Sequence, residues 1–141
     1  YFIIHLMKPA RMPEVKITLK ASYLMCENEP RFVLHGTEGS YVKYGLDPQE
    51  ADLTKGLLPD APHWGEEDES QWGILHTEKD GNVVRKPYPT LPGNYAAFYE
   101  NIYQHIRNGE VLQSDACGVL GVIRLIEAAW ESSRTGNVRK L

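Results

Sequence analysis

Val15, Ile17, Leu19, Ala21, Tyr23 and Met25 alternate with Lys16, Thr18, Lys20, Ser22 and Leu24, a period of two held over eleven residues. Successive side chains on a strand point to opposite faces, so the pattern specifies a strand with one apolar face. The other face is left to water or to a polar partner. A strand this long predicts a large sheet. The chain also opens on an apolar run, Tyr1–Leu6, which reads as a buried strand. Termini are usually solvated, so a start in mid-strand implies a domain cut from a longer chain.

The turn Glu27-Asn28-Glu29-Pro30 leads to a second strand, Arg31–His35. Gly36-Thr37-Glu38-Gly39 has the composition of a hairpin loop whose glycines supply positive φ, and Ser40–Tyr44 is its partner strand. Trp72–Lys79 and Val83–Lys86 flank Asp80-Gly81, a strong type I′ signal. Strands joined by short turns make an antiparallel meander. Between the two hairpins, Asp47 caps a short helix with Pro48 in its first position and Glu50 three residues after the cap, ending near Gly56. Leu57–Ser70 has no period and reads as an ordered surface excursion.

The last third is helical. Asn94 caps a helix from Tyr95 to Asn108, with Tyr95, Phe98, Ile102, His105 and Ile106 on one side and Gly109 as terminator. Ser114 caps a second helix to about Thr135, with Val119, Ile123, Ile126, Trp130 and Ser133 on one stripe. Gly118 and Gly121 each cost roughly 1 kcal/mol inside a helix, which predicts close packing there. These two helices are expected to cover the apolar face of Val15–Met25, and Val138–Leu141 is expected to return as a short strand. Strands first and helices last, without βαβ alternation, give an α+β class: an open, mainly antiparallel sheet with helices on one face.

A hydrophobic share of 42% in 141 residues fits one globular domain with an ordinary core. No apolar run approaches the ~20 residues of a membrane helix, and the net charge of −4, with scattered cations, argues against nucleic acid. Cys26 and Cys117 read as two buried free thiols. With no signal-peptide pattern, the compartment expected is the cytoplasm.

No G-x-G-x-x-G, P-loop or G-x-S-x-G occurs, so no cofactor-binding or catalytic residue is assigned. His5, His35, His63, His76 and His105 lack metal-ligand spacing, and no metal site is assigned. His105 reads as a satisfied helix-face residue, and His35 and His76 as sheet-face residues with local hydrogen bonds. Glu66-Glu67-Asp68-Glu69 reads as solvated surface, lacking the alternation of a calcium loop. The chemically loaded stretch is Tyr41–Glu50, where phenols and an amine meet a strand end and a helix cap.

The block Arg31–Glu50, and above all its K-Y-G-L-D-P-Q-E run, resembles the central part of the C-terminal domain in the Gfo/Idh/MocA oxidoreductases. Trp64-Gly65, Leu91-Pro92-Gly93-Asn94-Tyr95 with Phe98-Tyr99, and Ile126-Glu127 with Ser132-Ser133 extend the resemblance along the chain. It implies a C-terminal domain like that of dihydrodipicolinate or glyceraldehyde-phosphate dehydrogenase. The parent enzyme would have an N-terminal Rossmann domain, absent from this chain, that binds NAD or NADP. The resemblance further implies a sugar or polyol substrate and a homodimer. The family's catalytic lysine lies in a Glu-Lys-Pro motif and its histidine in D-x-x-x-H; here Lys8-Pro9 follows Met7 and the second motif is missing. Those roles transfer to no residue, and the chain alone is expected to be inactive and to bind no cofactor. His35, Tyr41, Lys43 and Trp64 are the expected substrate contacts, because a sugar needs polar groups matched to its hydroxyls and an aromatic face. The competing expectation is a free-standing α+β module that binds a ligand or a protein.

Overall fold

The computed structural model describes residues 2–7 and 14–140, with side chains described from Glu14 onward. It divides into two compact units, one formed by the segments before Asn28 and after Val111, the other by Asn28–Val111.

In the first unit, β1 (Phe2–Met7) pairs antiparallel with β2 (Lys16–Ala21) in a two-stranded sheet. Tyr1, at the start of the expected first strand, lies outside the described residues. The eleven-residue alternation is therefore used for only six residues, and the large sheet expected for it is a ribbon. Ser22 explains the early end: its Oγ accepts the Leu24 N–H at 3.1 Å, a local turn that competes with the ladder. The expected covered face is not formed within β2, where Ile17 alone is half-buried. Val138–Lys140 form no strand, and Leu141 lies outside the described residues.

The second unit is a meander in chain order: β3 (Phe32–His35), β4 (Gly39–Lys43), β5 (Gly73–Lys79) and β6 (Asn82–Tyr88), all antiparallel. The fold is thus α+β with an open antiparallel sheet, as the pattern predicts. At the β5–β6 turn, Asp80 (φ 53°) and Gly81 (φ 77°) both take the left-handed region that a type I′ turn demands. The glycines of the β3–β4 hairpin work differently from expectation: neither Gly36 nor Gly39 has positive φ. Gly39 instead permits close approach, since a Cβ there would lie 2.7 Å from the His76 carbonyl oxygen.

Helix α1 (Pro48–Thr54) starts at Asp47, whose side chain accepts the Gln49 N–H. Helix α2 (Ala96–Asn108) begins where Asn94 Oδ1 accepts the Ala97 N–H, and Gly109 closes it at φ 72°. Helix α3 (Ala116–Thr135) closes at Gly136. Its cap is Asp115, not Ser114: the Asp115 carboxylate accepts the Gly118 N–H at 2.8 Å, and a carboxylate suits the positive helix end better than a hydroxyl. No close packing accompanies the helical glycines, for nothing lies within 4 Å of a Cβ built on Gly121.

Apolar residues are distributed unexpectedly. Among the described residues no hydrophobic side chain is buried. On α3 the expected core stripe of Val119, Ile123, Ile126 and Trp130 is exposed, while Leu125, Ala128, Ala129 and Ser132 are half-buried. On α2 the expected stripe leaves only Ile102 half-buried. Both thiols, expected inside, are free and exposed. Cys117 sits in the first turn of α3 and Cys26 in the bends after β2, neither beneath another layer.

Replacing Asp115 with Ala should cost about 1 kcal/mol of stability, whereas Ser114→Ala should stay within about 0.5 kcal/mol. Urea melts of the two variants side by side check the assignment of the cap.

Candidate functional site

Cross-strand register assigns each strand residue to a face. Phe32 opposes Lys43, Leu34 opposes Tyr41, and Tyr41 opposes Leu75, so Tyr41 and Lys43 share one face. His35 opposes Ser40, which opposes His76, which opposes Arg85; this polar row crosses all four strands on the other face. His35 Nδ1 meets Ser40 Oγ at 2.9 Å, the local hydrogen bond expected of it; His76 has none among the described residues. The structure therefore separates His35 from Tyr41 and Lys43. His105, as expected, is satisfied locally, its Nδ1 2.6 Å from the Glu110 carbonyl oxygen.

Beyond β4 the chain turns through Gly45, at φ 78°, into the Asp47-Pro48-Gln49 helix start. Gln49 is fully buried. Its Nε2 donates to both Asp47 carboxylate oxygens, at 3.0 and 3.1 Å. Its Oε1 accepts from Trp64 Nε1 and from the Tyr95 backbone N–H, each at 2.8 Å. One primary amide thus joins the helix cap, the excursion and the entry to α2. Glycines let the strands of this knot approach: Gly93 N–H donates to the Gly65 carbonyl oxygen at 3.0 Å. A Cβ on Gly93 would collide with Gln49 and Asp47, and one on Gly65 with the Gly93 carbonyl. Trp64 is thereby placed as a tether of the excursion, its indole N–H already committed.

Lys43 is the second anchor. It is 8% exposed, and its Nζ lies 2.8 Å from both Glu67 carboxylate oxygens and from the Gln71 carbonyl oxygen, with the Tyr44 carbonyl at 3.2 Å. The Glu67 side chain is 4% exposed. Glu67 was expected as solvated surface; its position in a run of acids hid a buried partner for β4. The rest of the run stays outside, and hydrogen bonds from Ser70, side chain and backbone, hold the Asp68 carboxyl below the usual range. Tyr41 is half-buried, with its ring over Gly73, where any side chain would overlap it.

Above these anchors opens a cleft of about 420 Å³, lined from Arg31 and Phe32 across the Gly45–Glu50 turn to Thr90, Leu91, Gly93 and Tyr95. Lys43 and Glu67 contribute to its wall; His35, Tyr41 and Trp64 do not. Sequence reasoning missed Gln49, Glu67 and Arg31. The K-Y-G-L-D-P-Q-E run contained the signal for Gln49, since a helix cap alone does not need glutamine two residues later.

Neither α1 nor α3 offers a dinucleotide phosphate site. The N-termini of α1 and α3 already hold the carboxylates of Asp47 and Asp115, which would repel a pyrophosphate. The positive-φ glycines Gly109 and Gly136 close helices instead of opening them. Among the described residues no group of acidic, His or Cys side chains could hold a metal ion, and no helix is long and apolar enough to cross a membrane.

Lys43→Met should destabilise the protein by roughly 3–5 kcal/mol, because it leaves Glu67 buried without a counter-charge. A calorimetric melt reads this, and Lys43→Met with Glu67→Met should recover much of the loss if burial of the lone charge is the cause.

The chain matches, over residues 3–141, the family model described as "Oxidoreductase family, C-terminal alpha/beta domain". It is 37% identical over 107 residues to scyllo-inositol 2-dehydrogenase (NADP(+)) IolW of Bacillus subtilis, covering 76% of this chain and 30% of that protein. A solved oxidoreductase structure from Bacteroides fragilis superposes with a TM-score of 0.91 at 56% identity, over 99% of this chain and 41% of that one. The oxidoreductase YvaA of Bacillus subtilis gives a TM-score of 0.86 at 32% identity, over 92% and 37% of the respective chains. The chain thus spans well under half the length of each of these relatives. Its match over nearly all its residues, and a fold shared with those structures, make it a C-terminal α/β domain of the Gfo/Idh/MocA oxidoreductase family.

Proposed function

We propose that this chain is the substrate-side domain of an NAD- or NADP-dependent oxidoreductase acting on a sugar, polyol or related hydroxyl compound. The nicotinamide cofactor belongs to an N-terminal Rossmann domain of the same protein and supplies the hydride acceptor or donor. This chain binds and orients the substrate and keeps water from it, work that positioning alone can make worth several kcal/mol. It contributes no catalytic acid or base, and on its own it is inactive.

The observation that carries the reading is the convergence of the family's separated motifs. Asp47-Pro48-Gln49, Trp64-Gly65 and Gly93-Asn94-Tyr95 meet at one amide, and Asp47, Pro48, Gly65, Gly93 and Tyr95 among them line a cleft of small-molecule size. The inositol dehydrogenase among the relatives supports the substrate class. Of the four expected contacts, Lys43 and Trp64 act in this proposal by holding the cleft, Tyr41 by supporting its wall, and His35 from the opposite face.

Exposed apolar side chains on both sheet faces support two further partners. Phe32 and Leu34 are 55% and 60% exposed on one face, Val33 and Val83 46% and 69% on the other. Exposed apolar side chains grouped on a sheet face, as Phe32 and Leu34 are, mark interaction sites. The partners proposed are the Rossmann domain and a second copy of the chain, in a cytoplasmic homodimer burying at least ~1,000 Å².

The protein carrying this domain together with its upstream sequence should reduce NAD or NADP when given a cyclic polyol, followed at 340 nm, while the 141-residue chain alone should do neither that nor bind NADH by fluorescence. Micromolar NADH binding by the isolated chain, or an upstream reading frame without a dinucleotide fingerprint, would overturn the proposal.

A further inference from the structure

Helix α2 is finished on one side and unfinished on the other. On its polar side Asn108 donates to Gln104, and Gln104 donates to Glu100 at 2.6 Å, a ladder with one rung per turn. Beside the ladder Asn101 Nδ2 donates to the Val111 carbonyl oxygen at 3.0 Å, and His105 meets the Glu110 carbonyl, so the segment after the helix is tied back to it. With about 3.6 residues per turn, the side opposite the ladder carries Tyr95, Phe98, Tyr99, Ile102, Tyr103 and Ile106. Their spacing is that of a helix face built to be covered. Ile102 is half-buried, but Phe98 is 52% exposed, Tyr99 70%, Tyr103 54% and Ile106 73%. Phe98 and Tyr99 pack edge to face with ring centres 5.3 Å apart. Aromatic rings dominate this stripe, as they do the cores of protein interfaces.

We infer that this stripe seats the dinucleotide-binding domain of the same polypeptide and holds it against the cleft. The inference rests on the oxidoreductase reading above and deepens it by naming the surface on which the two domains meet. The stripe starts at the cleft, for Tyr95 lines it and the Tyr95 N–H is fixed by the Gln49 amide at 2.8 Å. From there to Ile106 it extends roughly 16 Å along the helix. Reacting atoms must come within about 3–3.5 Å of each other, so the domain that carries the nicotinamide must reach the rim of the cleft. The surface that continues this rim is the one it meets. A second copy seated there would bar the approach. The chain covers 41% of the Bacteroides fragilis structure and 30% of the Bacillus subtilis enzyme, and the family model it matches is that of a C-terminal domain, so these relatives carry the partner in the same polypeptide. A covalent link gives such a partner a millimolar effective concentration, and a stripe of modest area then suffices. Tyr95, Tyr99 and Tyr103 suit a face that is covered and wetted in turn, each with an apolar ring and a polar tip.

The test uses the protein with its upstream sequence. Tyr99→Lys combined with Tyr103→Lys places two charges in the stripe at exposed positions, and Arg107→Ala, exposed on the same helix, is the control. The wild type and the control should melt in one calorimetric transition and the double variant in two, as the domains uncouple. Initial rates with myo-inositol should show kcat/KM lowered at least about tenfold in the double variant. NADH binding, read by fluorescence, should change less than about threefold, because the dinucleotide site lies in the other domain. Circular dichroism checks that the double variant folds; if it does not, Ile106→Lys at the far end of the stripe takes its place with the same expected outcomes. One transition with full turnover in the folded variant would overturn the docking assignment and leave the oxidoreductase reading intact. A split melt in a protein whose wild type oxidises no polyol would support the docking face and sink the oxidoreductase reading. A wild-type dimer that becomes a monomer in the variant by sedimentation, with the melt unsplit, would give the stripe to a second copy and overturn the proposal.

Discussion

The buried amide of Gln49 is the interaction on which the rest of this unit depends. It sits two residues beyond the helix cap, and its partners Trp64 and Tyr95 lie 15 and 46 residues further along the chain. A primary amide is the one neutral side-chain group with two donors at one end and an acceptor with two lone pairs at the other. All are used here in a single geometry: Nε2 toward a carboxylate, Oε1 toward an indole N–H and a backbone N–H. A carboxylate in its place would repel Asp47, and an aliphatic side chain would leave the Trp64 indole N–H and the Tyr95 backbone N–H without their acceptor. Each unpaired group costs about 1–3 kcal/mol in a buried setting. Gly65 and Gly93 belong to the same device, because only residues without Cβ allow the segments to come within bonding distance of the amide.

Polar anchoring of this kind replaces what a hydrophobic core would do elsewhere. The excursion after α1 has little apolar periodicity, and the residues it must be held against are strand ends and turns. Lys43 answers that need from the last position of β4, reaching Glu67 and the Gln71 carbonyl across 24 and 28 residues of sequence. Trp72 adds an indole hydrogen bond to the Glu67 carbonyl oxygen at 3.3 Å. Such bonds are directional and fix one register, whereas apolar contacts tolerate sliding. A loop that must keep the wall of a cleft in place gains more from the first kind.

Local chemistry was legible in the sequence wherever one residue decides the backbone. Asp80-Gly81, Asp47-Pro48 and Gly109 each impose a turn, cap or stop locally, and each stands where the pattern predicts. Periodicity misled where a local bond competed with it, as when Ser22 ends β2 four residues early. Two adjacent cap residues could not be told apart at Ser114-Asp115, because position alone does not rank a hydroxyl against a carboxylate. The candidate site was legible as a segment and not as a mechanism. Lys43 and Trp64 are expected to meet a substrate, but sequence cannot show that their donors are already taken within the fold. Gln49 and Glu67 were passed over because their partners are remote and the surrounding acids and cap residues have sufficient local explanations. The stripes on α2 and α3 show the converse: an amphipathic pattern identifies an apolar face without showing that the described chain covers it.

The division of labour among the charged residues follows from these constraints. Lys43 and Glu67 are desolvated, so each needs the other, and neither can turn toward a ligand without leaving a buried charge unpaired at a cost of several kcal/mol. Arg31 and Glu50 remain solvated at the same cleft, where reorienting costs little. Asp47 stands between the two classes: its exposed carboxylate is oriented by Gln49 but not neutralised by it. Orientation without neutralisation is the condition for a preorganised hydrogen-bond acceptor, since the group is already aimed and still carries its full charge. The amide that closes the fold therefore also orients a carboxylate of the cleft lining.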